Sequence, residues 1–301
     1  MKKTQKILTV LTAAAAVGML GGCASENKTA ETTVETTAET AAETNAVSET
    51  TAKEDSEADH DKYPYVQRLE PVEPVDGEIG AAASMLDWGN VDDSPYFKSI
   101  DYYDGTGISD TLVLLDHFKT YQQTSERSCG AASVLMVLNY LTGEAPGEDT
   151  LDKEMDIRYL DNVREDGSYG ATTASVAEAL RTRGFKVQSS ADTQDEDGYS
   201  FHSEQDLTQF MTDQLKAGYP ILMENVEWGG HWMVLIGYDN MGTPDIMLDD
   251  VVVFADSYDT SDHCQDGYHT MSFERYVSQW FDHQVMGENE KNQQYVTIVK
   301  E

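Results

Sequence analysis

The chain has 301 residues, of which 55 are acidic and 20 are basic, so its formal net charge is −35 at pH 7. A surface this acidic argues against nucleic-acid binding and against electrostatic docking on an anionic membrane. Only three cysteines occur, which excludes a disulfide-stapled scaffold. The length leaves room for one domain with a real core beside any N-terminal segments.

The N-terminus has the pattern of an export signal over residues 1–22. Two lysines precede an apolar, alanine-rich stretch at residues 7–19, which is too short to span a bilayer. The stretch ends in Leu20, Gly21, Gly22 and Cys23, which resembles the lipobox of bacterial lipoproteins. That resemblance implies lipidation of Cys23 and a location on the extracellular face of the bacterial cell membrane. The alternative is an ordinary secretory signal with a chance cysteine.

Two further segments precede the predicted domain. Residues 23–62 are rich in Thr, Glu and Ala, with few apolar side chains to bury, and predict a disordered acidic tether. Residues 63–111 form an N-terminal extension with a loop-like composition, and we expect it to wrap around the domain. The domain itself is predicted over residues 112–301.

Hydrophobic patterning predicts the main elements in chain order. Residues 112–115 indicate a short buried strand, and an apolar stripe from Cys129 predicts a core helix that ends before Gly143. Further helices are predicted over residues 175–183 and 203–216, and strands over residues 185–187, 221–223, 232–238, 250–255 and 295–299. Helices precede mainly antiparallel strands, which favours the α+β class.

Three polar residues stand at the ends of these elements in the pattern of a thiol nucleophile with an oriented base. Cys129 begins the helix, His231 opens an apolar strand and Asp256 follows the next strand. A helix N-terminus favours the thiolate, and His231 can take and return a proton. Gln123, six residues before the cysteine, can donate from its amide to an oxyanion.

Two neighbours of these residues also have candidate roles. Gly130 lets a substrate backbone approach closely. Trp232 either shields the thiol and imidazole from water or belongs to the core.

The order of these motifs resembles the papain-like cysteine peptidases, in the bacterial branch related to the bacteriocin leader (double-glycine) peptidases. The resemblance implies a papain-like α+β fold, with Cys129 as nucleophile, His231 as base, Asp256 as orienting acid and Gln123 in the oxyanion hole. The interval of 25 residues between His231 and Asp256 is longer than is usual in that branch. A turn-rich insertion at residues 239–249 accounts for it. Asp250 and Asp259 are the alternative acids, and if they sit on solvated loops their removal is harmless.

Other interpretations of the same residues remain open. Cys129 and Cys264 could instead form a disulfide. His263, Cys264 and His269 could supply part of a zinc site, although four ligands are not in view. The acidic loop at residues 193–198 imitates a calcium loop but has Thr at the first ligand position, which favours a solvated turn.

The sequence therefore predicts a secreted, lipid-anchored cysteine peptidase that acts on peptide or isopeptide bonds through a thioester. We expect a monomer with a peptide or protein substrate, no cofactor, no metal and no nucleic-acid partner. The alternatives are a peptidoglycan amidase or acyltransferase with the same triad, and a cell-surface binding module without catalytic activity.

Overall fold

The computed structural model describes residues 68–85, 110–259, 265–282 and 292–300, all within the compact unit Ala52–Glu301. The predicted signal peptide, the predicted lipidation site Cys23 and the predicted tether lie outside these residues, as do His263, Cys264 and His283. Within the described residues, no helix is long and apolar enough to cross a membrane.

The described strands are short, apart from one long strand that carries the predicted base. Their bounds are β1 Arg68–Leu69, β2 Leu112–Leu114, β3 Thr120–Tyr121, β4 Val187–Ser189, β5 Ile221–Asn225, β6 His231–Asp239, β7 Val251–Ala255, β8 Tyr268–Ser272 and β9 Tyr295–Ile298. The helices are α1 Cys129–Thr142, α2 Glu148–Glu154, α3 Thr173–Arg181, α4 Ser190–Thr193, α5 Glu204–Lys216 and α6 Phe273–Gln279.

An antiparallel sheet forms the centre of the domain. In the described residues it runs in the order β4-β9-β5-β6-β7-β8, and β2 also pairs with β6. Strand β6 is buried from His231 to Tyr238, so its apolar residues face packed neighbours on both sides. Each fully buried Val, Leu or Met side chain in such a strand contributes about 1.5–3 kcal/mol through burial.

Helix α1 packs directly on this central strand. Ten consecutive residues from its start are buried, so the first part of α1 is a core helix and its C-terminal residues are the more exposed ones. The hydroxyl of Ser133 donates to the carbonyl of Trp232 at 3.0 Å and ties the helix to the beginning of β6. At the other end, Gly143 closes the helix in the left-handed conformation at φ 79°.

The observed elements confirm the predicted α+β class and most of the predicted elements. Helix α1 ends where Gly143 predicts, and α5 starts after Ser203, whose side chain accepts from the N–H of Asp206. Helix α3, predicted over residues 175–183, begins two residues earlier than predicted, because Thr172 caps it in a capping box with Ser175. The strand predicted over residues 185–187 lies two residues later, at Val187–Ser189.

The N-terminal extension is more ordered than a loop in its described part, residues 68–85. Strand β1 pairs in parallel with β3, and two short 3-10 helices follow at Val75–Gly77 and Ala81–Met85. Val75, Ala82 and Ala83 are buried against the domain. These residues pack on the domain and have secondary structure that the composition did not indicate, and the predicted bounds of the extension stay a prediction.

Candidate active site

The N-terminus of α1 delivers a buried thiol to the first residues of the central strand. Cys129 is a free cysteine with 8% of its surface exposed. As the first helical residue, its N–H has no partner within the helix, and it lies at the positive end of the helix dipole. Both features favour negative charge at this position.

Gly130 is needed for packing. A Cβ atom at Gly130 would lie 2.2 Å from the Cβ of Ala171, a distance that no two side-chain atoms can share. The close approach therefore comes from the segment before α3. The space that a side chain at Gly130 would fill is thus taken by the domain itself, and the close approach of a substrate backbone stays a prediction.

His231 stands at the first position of β6, opposite Asn225 of β5. The turn before it relies on Gly230, whose φ of 122° is accessible to few other residues. The imidazole is only 3% exposed, and its Nε2 lies 2.7 Å from Oδ1 of Asp256. A carboxylate can only accept, so Nε2–H donates. Cys129 interacts electrostatically with this side chain, and because Nε2 is bonded to Asp256, Nδ1 is the ring nitrogen left for the thiol.

Asp256 follows β7 and is fully buried. Its Oδ1 accepts from the N–H of Tyr258 at 2.8 Å as well as from His231. Its Oδ2 lies 3.3 Å from Nδ1 of His269 on β8. The carboxylate is therefore held between two imidazoles that come from the strands on either side of β7.

The alternative acids are placed elsewhere. Asp250 hydrogen-bonds the hydroxyl of Tyr238, towards the other end of β6, and Asp259 accepts from the N–H of Gly267 at 3.2 Å. Both carboxyl groups are buried. The idea that they sit on solvated loops is wrong, because each is part of an internal hydrogen-bond network.

The charges of the buried pair reinforce one another. Burial by itself lowers the pKa of His231, but the charge and hydrogen bond of Asp256, together with the contact to Cys129, outweigh it and raise that pKa. Burial raises the pKa of Asp256, yet the charges and hydrogen bonds of His231 and His269 bring it well below its ordinary value. An imidazolium beside an ionised carboxylate is the stable state of this pair.

Gln123 is fixed at both ends of its amide. Its Oε1 accepts from the hydroxyl of Ser257 at 2.7 Å, which defines the orientation of the group. Its Nε2 donates to the carbonyl of Ser125 at 2.7 Å. An amide nitrogen has two hydrogens, so Nε2 keeps a second hydrogen that it can donate to an oxyanion. The backbone N–H of Gln123 donates to the carbonyl of Ser257, directly after Asp256.

Sequence reasoning missed an aromatic side chain beside the imidazole. Trp228 is 66% exposed, and its ring centroid lies 5.0 Å from that of His231 in an edge-on arrangement. It also packs against Tyr258 at 5.2 Å. By contrast, Trp232 is buried and donates from its indole to the carbonyl of Ala171, so it belongs to the core. The aromatic cover over the base comes from Trp228.

His269 has a different partner from the one considered in the sequence. It was a candidate zinc ligand with His263 and Cys264, which lie outside the described residues. The structure places it on Asp256 instead. Among the described residues, no group of three or more His, Cys, Asp or Glu side chains could hold a metal ion. In the calcium-like loop, Asp195 accepts from the N–H groups of Asp197 and Tyr199 and so closes a turn.

Two further buried carboxyl groups interact with one another near the thiol. Glu224 lies on β5, and both Glu224 and Asp282 are fully buried. Burial, the charge and hydrogen bond of Asp282 and the charge of Cys129 raise the pKa of Glu224 well above its ordinary value. A Glu224 that keeps its proton limits the negative charge near Cys129.

Comparison with known proteins gives a family for this arrangement. A family model described as the Peptidase_C39 like family matches residues 115–284, more than half of the chain. Among solved structures, the peptidase domain of Streptococcus ComA, a bifunctional ABC transporter involved in a quorum-sensing pathway, is similar at 18% identity and a TM-score of 0.39. That match covers 62% of this chain and 100% of that one. A search of curated proteins found no match.

The chain belongs to the Peptidase_C39 like family. It is a cysteine peptidase with a papain-like α+β fold, related to the bacteriocin leader peptidases. The family match confirms the class predicted from the order of the cysteine, histidine and aspartate motifs.

Proposed function

We propose that the protein hydrolyses peptide or isopeptide bonds with Cys129 as nucleophile, His231 as general base and acid, and Asp256 as the residue that orients His231. The observation that carries the proposal is the buried imidazole of His231, which bonds Asp256 through Nε2 and interacts electrostatically with Cys129. This geometry fixes both the tautomer and the direction of proton transfer.

The reaction proceeds in two balanced steps. The Cys129 thiolate adds to the carbonyl carbon of the substrate, and the C–N bond breaks while the imidazolium of His231 gives its proton to the leaving amine. The product is a thioester on Cys129. Water then adds to the thioester as neutral His231 takes one of its protons, and the C–S bond breaks. The carboxylic acid is released, and Cys129 returns as the thiolate beside the imidazolium.

An oxyanion forms in both steps, and two donors support it in this proposal. The N–H of Cys129 has no partner within α1, and the amide of Gln123 retains a second hydrogen. Removal of one such donor from a hydrolase costs about 10²–10³-fold in rate. The rigid attachment of Gln123 to Ser257 preorganises this donor.

The assignment of the nucleophile is tested by alkylation at neutral pH with iodoacetamide, read by mass spectrometry. Cys129 should react before Cys264, and His231→Gln should slow the labelling of Cys129 by about 10-fold or more because the thiolate loses its counter-ion. Cys264 provides the internal control in both proteins. Faster labelling of Cys264, or an unchanged rate at Cys129 in His231→Gln, would overturn the proposal.

We also propose that Cys23 is lipidated and holds the protein on the extracellular face of the membrane. The support is the lipobox-like sequence that ends in Cys23. Wild-type protein should partition into Triton X-114 with the membrane fraction, whereas Cys23→Ser should be released or keep an uncleaved signal. Equal partitioning of the two forms would contradict the anchor and leave the catalytic proposal untouched.

A further inference from the structure

The short loop between β3 and α1, residues 122–128, carries Gln123 and is held from two sides. One side is helix α2, through Glu148. The other side is the strap, defined here as residues 68–85. The strap lies before the residues that match the family model, which begin at residue 115.

Glu148 is a fully buried carboxyl group whose acceptor sites are filled by this loop and its flanks. Its oxygens accept from the N–H of Thr124 at 3.0 and 3.2 Å and from the hydroxyl of Thr124 at 2.8 Å. They also accept from the hydroxyls of Tyr121 at 2.7 Å and Ser128 at 2.5 Å. A buried carboxylate with this many donors fixes each of them strongly, because any loss leaves charge unsatisfied.

The strap also binds this loop, through hydrogen bonds to Gln123 and Thr124. The hydroxyl of Thr124 accepts from the N–H of Val75 at 3.0 Å, and its carbonyl accepts from the N–H of Gly80 at 3.0 Å. The carbonyl of Gln123 accepts from the N–H of Ala83 at 3.0 Å. A Cβ at Gly80 would lie 3.1 Å from the carbonyl oxygen of Thr124, so the two backbones are in close contact.

Thr124 is therefore the point where both supports meet, one residue from the proposed oxyanion donor. Its hydroxyl donates to Glu148 and accepts from the strap at the same time. A loop in this position would otherwise move freely enough to misplace the Gln123 amide. Misplacement of a catalytic donor by about 1 Å can cost about 10²-fold in rate.

We propose that Thr124, Glu148 and the strap are positioning elements for the oxyanion donor Gln123, so that the N-terminal extension is part of the catalytic apparatus. This inference rests on the proposed role of Gln123. The strap then affects the rate of acyl transfer, because it holds the loop at residues 122–128 rigid beside Cys129.

The test compares two reactions of the same thiol in the full chain. Acylation by 4-nitrophenyl acetate passes through an oxyanion, whereas alkylation by iodoacetamide does not. Thr124→Val keeps the shape of the side chain and removes the hydroxyl. It should slow acylation by about 10-fold while alkylation of Cys129 stays within about 2-fold of wild type. Thr124→Ser restores the hydroxyl and should restore the acylation rate.

Glu148→Gln and Glu154→Gln form a matched pair on helix α2. In Glu148→Gln, one carboxylate oxygen becomes an NH2 group that cannot accept from the donors around Glu148. This variant should therefore slow acylation and leave the alkylation rate of Cys129 unchanged. The second changes an exposed side chain that pairs with Arg183, and it should leave both rates unchanged. Hydrogen exchange of residues 68–85 should be faster in Thr124→Val than in Thr124→Ser, because the strap loses an acceptor.

A double substitution separates this inference from the proposed function. Gln123→Ala should itself slow acylation. Adding Thr124→Val to Gln123→Ala should slow acylation by less than a further factor of about 2, since Thr124 acts through Gln123. If Gln123→Ala is silent, the oxyanion assignment fails and the inference fails with it. Three results would overturn only the positioning role, provided that Gln123→Ala slows acylation. They are an unchanged acylation rate in Thr124→Val, an effect of Thr124→Val that is as large in the Gln123→Ala background as in wild type, and an equal loss of the alkylation rate.

Discussion

Asp256 has a specific set of donors that no neighbouring acid shares. Two imidazoles and the N–H of Tyr258 point at its two oxygens, so its buried charge is compensated by hydrogen bonds. Asp250 has a tyrosine hydroxyl instead, and Asp259 has a backbone N–H. The three acids therefore give different results on removal.

Asp256→Ala should lower the acylation rate of Cys129 by about 10-fold or more, because His231 loses the partner that fixes its tautomer. Asp256→Asn should cost less, since the amide oxygen can still accept from His231 and the amide nitrogen can donate to a neutral His269. The rates are measured with 4-nitrophenyl acetate.

Asp250→Ala is the matched control for this comparison. It leaves the Tyr238 hydroxyl without its partner and should lower the free energy of unfolding by about 1–3 kcal/mol, with little change in acylation rate. A fall in rate equal to that of Asp256→Ala would show that the orienting acid has been misassigned.

His269 should make the stability of the protein depend on pH above neutrality. Burial lowers its pKa, but the hydrogen bond and charge of Asp256 and the charges of Asp259 and Glu227 raise it overall. A raised folded-state pKa gives stability that is complete below about pH 6.5 and is lost as the pH rises through the folded value. His269→Asn keeps a donor near Asp256 without titrating. Its Tm should therefore fall less than that of wild type between pH 6 and pH 9, and parallel curves would contradict this assignment.

The local sequence predicts the candidate nucleophile and base but not their surroundings. Cys129 and His231 each stand at the end of an element whose periodicity is visible in the sequence. The contact between His269 and Asp256 depends on the register of β7 and β8, in which Phe254 faces His269. Trp228 reaches His231 through a turn in which its own φ is 51°. Pairing register and unusual turn conformations are set by tertiary packing, so short-range patterns do not reveal them.

Helix α1 should be sensitive to a single methyl group at Gly130. Because a Cβ there would lie 2.2 Å from Ala171, Gly130→Ala forces the N-terminus of α1 away from its neighbour. We expect a loss of about 1–3 kcal/mol in the free energy of unfolding, and slower alkylation because Cys129 moves with the helix. Denaturant unfolding and iodoacetamide labelling measure the two effects.

Gly143→Asn at the other end of α1 serves as the control. The position is left-handed at φ 79°, a Cβ added there would have no atom within 4 Å, and Asn tolerates that conformation. The substitution should change stability little and labelling not at all. Equal effects of the two substitutions would show that loss of glycine, and not the contact with Ala171, is responsible.

The elements that could be predicted from the sequence are those with several turns or a long buried run. Helix α1, helix α5 and strand β6 have clear periodicity or continuous apolar character. Strands β1 and β3 have two residues each, which is too short for any pattern. Helix α6 is also short, although Ser272 caps it by accepting from the N–H of Arg275, a signal that could have indicated its start.

The Glu224–Asp282 pair should make the whole domain less stable as the pH rises. The pKa of Glu224 is raised in the folded state, so the folded protein keeps a proton that the unfolded chain releases above about pH 4.5. The stabilisation that Glu224 contributes is complete below about pH 4.5 and is lost as the pH rises towards the pKa of Glu224 in the folded state. Glu224→Gln, whose amide can still donate to Asp282, should flatten the decline in Tm between pH 5 and pH 8. The exposed Glu178→Gln should leave it unchanged, and a decline as steep as that of wild type in Glu224→Gln would contradict this origin.

The parallel pairing of β1 with β3 determines how the domain responds to a mechanical pull. Arg68, at the start of β1, also donates to the carbonyl of Gln265 at 2.5 Å, so the first described residues are bonded to two separate parts of the domain. A pull along β1 from its N-terminal side strains these bonds in shear, together and not one after another. The next bonds along the chain join the carbonyls of Val72 and Glu73 to the N–H groups of Glu148 and Asp149 on α2, and the bonds to Thr124 and Gln123 follow. Tension on the preceding chain thus acts on α2 and on the loop at residues 122–128. With the positioning role proposed above, the acylation rate of Cys129 should change when the N-terminus is under load.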